Sequence, residues 1–81
     1  MADDWRDAST ATYNAEALAV GGLVVTVSLD DEGPLRPAFF WLIEDDGVRV
    51  AEGWEPSVER ARVQSTTHAH RIAAYMEARR D

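Results

Sequence analysis

Residues 38–54, AFFWLIEDDGVRVAEGW, decide the fold, and they hold both Phe and two of the three Trp of the chain. Asp46-Gly47 lies between two β-prone runs. Type I′ hairpin turns need positive φ at both central residues, which Asp-Gly supplies at little steric cost. An unbroken ladder around that turn pairs Asp45 with Val48, Glu44 with Arg49, Ile43 with Val50 and Trp41 with Glu52. Side chains alternate across a strand. One face then carries Phe39, Trp41, Ile43, Val48, Val50 and Trp54, and it is the better core. The other carries Ala38, Phe40, Leu42, Glu44, Arg49, Ala51 and Gly53. A slip of one residue would exchange the faces.

Upstream, Leu23–Leu29 (LVVTVSL) is β-branched and alternating, with Leu23, Val25, Val27 and Leu29 on the side that must face a core. The acidic segment Asp30-Asp31-Glu32-Gly33-Pro34-Leu35-Arg36-Pro37 is a loop, since two Pro and a Gly exclude it from a central ladder. Downstream, Pro56 and the acids Glu55 and Glu59 suit a helix start at Ser57. To about Arg80, helical spacing gathers Val58, Ala61, Ser65, Ala69, Ile72 and Met76 on one face. Thr66-Thr67 is a candidate break in this helix, because β-branched residues are poor helix formers. Unbroken, the helix would be about 35 Å long, against about 23 Å for the strands.

Residues 1–22 admit two readings. Trp5, Ala8, Thr12, Ala15 and Ala19 share a helical face, with Gly21-Gly22 as a helix stop. Ala11, Tyr13, Ala15, Ala17 and Ala19 also alternate as in a strand. Alanine content favours the helix. The expected fold is a single α+β domain spanning 1–81. It consists of a three-stranded antiparallel meander with a long C-terminal helix on one face, αβββα with the N-terminal helix and βββα without it.

A chain of 81 residues buries only about two-thirds of its unfolded surface. It has no Cys, which excludes disulfides and thiolate chemistry. Its longest apolar run, Ala17–Val27, is far shorter than the roughly 20 residues that cross a bilayer. The start of the chain is acidic, unlike a secretory leader. A cytoplasmic protein is expected. The net charge of −7 argues against direct binding of nucleic acid or anionic membrane, which needs a basic footprint. It favours a basic protein partner.

His68 and His70 are the only histidines. Residues two apart do not share a helix face, so a helix could not bring both to one metal. No metal or cofactor is expected. Ser65, Thr66 and Thr67 lie near His68 but form no nucleophile–base pattern, and Gly21-Gly22 lacks phosphate-loop spacing. No catalytic residues are assigned. The polar feature that carries information is acidic. In a meander, Asp30, Asp31, Glu32, Glu52, Glu55 and Glu59 would collect at one end, with the Asp46 turn at the other. Acid on loops also serves solubility. Phe40 and Leu42, beside Val24, Thr26 and Ala51, would remain outside the helix-covered face. Such a patch is a partner or homodimer contact unless residues 1–22 fold over it.

The order of strands and last helix resembles the double-stranded RNA-binding domain. The basic start of that family's last helix is replaced here by the mixed Ser57-Val58-Glu59-Arg60-Ala61-Arg62, and fold alone does not carry function. The stretch Asp46–Ser57, a hairpin running into an Ala-rich helix in a small acidic chain, resembles the small acidic inhibitors encoded by phages, anti-CRISPR proteins among them. The resemblance implies a non-enzymatic inhibitor acting in the host cytoplasm, one that imitates nucleic acid and occupies the basic groove of a host nucleic-acid-binding complex. Asp30, Asp31, Glu32, Glu52, Glu55 and Glu59 would be its acidic contacts, and Phe40 and Leu42 its apolar ones. The alternative is a small homodimeric interaction or accessory protein, with Phe40 and Leu42 at the seam and no mimicry.

Overall fold

The computed structural model describes residues 5–10, 14–30 and 38–79, with the side chain of Asp30 outside the description. Among these residues five strands form one antiparallel sheet in simple meander order: β1 (Arg6–Asp7), β2 (Ala15–Val20), β3 (Leu23–Asp30), β4 (Ala38–Asp45) and β5 (Val48–Glu55). One helix, α1 (Val58–Ala78), follows and packs on a single face. The fold is α+β, and the sheet is two strands wider than the meander read from the sequence.

Among the described residues the expected N-terminal helix is not formed. Ala15–Val20 is a strand, paired with β3 from Ala15↔Ser28 to Val20↔Leu23. Gly21-Gly22 is the two-residue turn between them and not a helix stop, with Gly21 at φ 60. Alanine favours a helix only weakly. Here that preference loses to a full ladder of backbone hydrogen bonds and to the burial of Leu18 and Val20.

The β4–β5 turn is as expected, with Asp46 at φ 52 and Gly47 at φ 82. Asp45 pairs with Val48 and Glu44 with Arg49. Beyond that the unbroken ladder fails. The register shifts between Ile43 and Glu44, so Ile43 pairs with Ala51, Trp41 with Gly53 and Phe40 with Trp54. Val50 is the extra residue of a β-bulge, which re-aims everything after it. Ala51 and Gly53 therefore face the helix. Val50 and Trp54 do not, and they are 44% and 50% exposed.

The core lies between the sheet and α1. Leu18, Val20, Leu23, Val25, Val27, Trp41 and Ile43 supply the sheet side, with Ala61 and Ala69 of the helix against them. Ala61, Ser65 and Ala69 are buried, and their small size lets the helix lie close on the sheet. Ser57 caps the helix: its Oγ accepts from the Arg60 N–H at 3.2 Å. The helix runs unbroken through Thr66-Thr67. Thr66 Oγ1 donates to the Arg62 carbonyl at 2.7 Å, bonding back along the helix instead of capping a new one. Among the described residues no helix is long and apolar enough to cross a membrane.

Candidate functional site

Two surfaces stand out. The first is the sheet face that α1 leaves uncovered. Cross-strand partners point to the same side, so the ladders place its residues in rows across β2–β5. One row is Ala19, Val24, Glu44 and Arg49, and the next is Ala17, Thr26, Leu42 and Glu52. A third adds Ser28, Phe40 and Trp54. Phe40 and Leu42 lie on this face, as the alternation predicts, and both are half-buried. Ala51 does not belong to it. Trp54 does, with its ring centroid 4.7 Å from that of Phe40. Val24 is 47% exposed here.

The second surface is the end of the sheet where α1 begins. Asp30 and Ala38 pair there, and Phe39 pairs with Glu55. Glu59 stands in the first turn of α1. The backbone of Asp30 and Glu55 and the first turn of α1 with Glu59 thus lie at this end. Asp31 and Glu32 lie outside the described residues. Glu52 does not join the end, because its ladder partner is Leu42 in the middle of the sheet and it forms an ion pair with Arg49. Charge at this end is also compensated. Glu55 lies 3.6 Å from Arg60. Glu16 takes a two-pronged grip from Arg62, with Nε at 2.6 Å and Nη2 at 2.7 Å. The Glu16 carboxylate holds the Arg62 guanidinium more firmly protonated than usual, and that guanidinium sits 5.8 Å from the Trp5 ring centroid.

Beside this end a cleft of about 480 Å³ opens over Trp5, Phe39 and Val58, with Asp7, Ser9 and Glu16 at its edge. Asp7 accepts from the Ser9 N–H at 2.9 Å. Its hydrogen bonds to Ser9 hold its carboxyl below the usual value of 3.8. Glu16 at its edge is held by Arg62.

His68 stacks on the buried Trp41 ring, centroids 5.3 Å apart and 21° between planes, while His70 is exposed. Trp41 Nε1 is buried without a hydrogen-bond partner. Among the described residues no group of three or more His, Asp or Glu could hold a metal ion. Comparison with protein-family models, with curated proteins and with solved structures finds no match for the chain.

Sequence reasoning missed two features. Strand alternation alone puts Trp54 on the core face, because it cannot show the bulge. The Glu16–Arg62 clamp joins α1 to a strand whose alanine content favours a helix.

Proposed function

We propose that the chain works by binding a protein through the open face of its sheet, as an interaction protein and not as a catalyst. One observation carries this reading. Phe40, Leu42 and Trp54 gather on the face opposite α1, where a contiguous apolar patch marks a contact surface. Capture experiments with the tagged chain and its Leu42→Glu variant test it. The same partner should be retained by the wild type and lost by the variant, both with native helical content. Equal recovery by the two would remove the face as the contact.

An acidic decoy is the second reading. Here the chain is a non-enzymatic inhibitor of the anti-CRISPR kind that fills the basic groove of a host nucleic-acid-binding complex in the cytoplasm. Its support is the net charge of −7 together with the presence of Asp30, Glu55 and Glu59 at one end. Arg60 and Arg62 at that same end reduce its field, which is why the open face is preferred. The decoy requires that Glu55→Arg/Glu59→Arg weakens capture and that competing oligonucleotide displaces the partner.

A further inference from the structure

We infer that the occupant of the open face is a second copy of this chain, packed sheet to sheet about a two-fold axis parallel to the strands and lying between β3 and β4. The inference rests on the reading of that face as a binding surface, and it names the partner and the geometry.

The argument begins from the uneven relief of the face. Its β2 side is lined by Ala17 and Ala19, while its β4–β5 side carries Leu42, Phe40 and Trp54. A closed dimer must use one patch twice, so the patch has to complement itself. A two-fold parallel to the strands lays β5 of one copy over β2 of the other, and β4 over β3. Bulky residues then meet small ones row by row: Leu42 faces Thr26 of the other copy, and Glu52 faces Ala17. A two-fold running across the strands would instead set β5 on β5 and press the bulky half against itself, leaving the shallow half unfilled.

The Glu44–Arg49 row, near the end of the sheet, would meet Val24 and Ala19 of the other copy, and one charged contact fits the first axis. Arg6 pairs with Ala17 on β1 and so lies just outside β2 in the same row. The other copy's Glu52 would arrive beside it. Area sets the strength of the contact. At about 4.8 Å between strands and about 3.3 Å per residue, eight rows of β3 on β4 and six of β2 on β5 outline roughly 440 Å² in projection, or about 900 Å² for two copies. That places the pair among weak, concentration-dependent contacts below about 1,200 Å². Packing two such sheets about 10 Å apart also gives each one a second covered face, completing a layered sandwich.

The test uses the intact chain, whose lack of Cys makes introduced thiols unambiguous. Light scattering at up to about 100 µM, suited to an interface of this modest area, should give twice the chain mass of 9.0 kDa. Leu42→Glu should halve that mass. So should Ala19→Arg, which alters an exposed position and leaves the core untouched. Helical circular dichroism should be unchanged in both. Mixing the single variants Ala17→Cys and Glu52→Cys with a short bismaleimide should yield the crossed pair. Glu52→Cys joining only to itself overturns the axis. A wild-type chain at single mass overturns the self-pairing. In that event an environment-sensitive apolar dye separates the two claims. Dye bound by wild type and lost in Leu42→Glu keeps the face as a surface for another protein. No dye binding at all removes the face with the dimer.

Discussion

Gly53 is where β5 makes room for the Trp41 ring. A Cβ there would fall within 2.6 Å of Trp41 Nε1 and overlap two more atoms of the ring, so only glycine leaves room for the Trp41 ring to lie across β5 toward His68. Gly53→Ala should therefore destabilise the fold by about 1–3 kcal/mol through overpacking. At roughly 4–8 °C per kcal/mol for a domain of this size, thermal unfolding should register it clearly. An unchanged melting temperature would mean the ring can shift without cost. The Glu16–Arg62 pair is a second residue-scale test. Arg62 is 42% exposed at its side chain, so solvent screening limits the coupling to about 0.5–1 kcal/mol in a double-mutant cycle. Arg62→Lys should not restore it, because a lysine cannot present two parallel donors. A coupling of zero would reduce the clamp to a surface contact. Asp7 supplies the pH dependence. Its carboxyl is held below 3.8 by Ser9, so its stabilisation of the turn is complete above that value and is lost as pH falls through the lower folded value. The Ser9 amide resonance should titrate with a midpoint below 3.8, and Asp7→Asn should abolish that titration.

At the scale of elements, α1 depends on its cap. Ser57→Ala removes the acceptor for the Arg60 N–H and should cost about 1 kcal/mol. Amide exchange should quicken in the first turn while the Ala69 region keeps its protection. Uniform loss would show that the cap and the helix–sheet contact act as one unit. The helix was legible in the sequence because Val58, Ala61, Ser65, Ala69, Ile72 and Met76 repeat at a period no strand can share, and all six are buried or pack on the core. The Asp46-Gly47 turn and β3 were legible for similarly local reasons. Residues 15–20 were not, because alanine suits either state and Gly21-Gly22 can end a helix or turn a hairpin. Only the pairing partner decides, and the partner is nonlocal. The bulge at Val50 was hidden for a different reason. Alternation shows that a strand has two faces, but it cannot show where an extra residue swaps them. Trp41 opposite Gly53 was the one available clue, a large ring needing an empty site across the ladder. The same effect explains the candidate face, where Phe40 and Leu42 precede the bulge and lie where alternation puts them, while Trp54 and Ala51 follow it and lie on the faces opposite to those alternation gives.

At the scale of the whole molecule, the question is whether charge or apolar area governs association. The chain carries fifteen acids against eight arginines. Near the start of α1, however, Glu16 and Glu55 are held by Arg62 and Arg60, and in the middle of the sheet Glu52 is held by Arg49. Such short-range pairing lowers the field at a distance, where the Debye length is already only about 10 Å at 0.1 M salt. The open face offers aromatic and aliphatic area whose burial is insensitive to screening. Salt dependence therefore discriminates between the readings without knowledge of the partner's structure. Contact through Phe40, Leu42 and Trp54 predicts that affinity changes less than about threefold between about 50 and 200 mM salt. A decoy seated in a phosphate-binding groove must lose at least about tenfold over that interval, since its attraction is the sum of many screened charge contacts. A steep loss that Glu55→Arg/Glu59→Arg flattens would transfer the function from the face to the acidic end. A flat response abolished by Leu42→Glu would leave the acids as solubilising charge around an apolar contact.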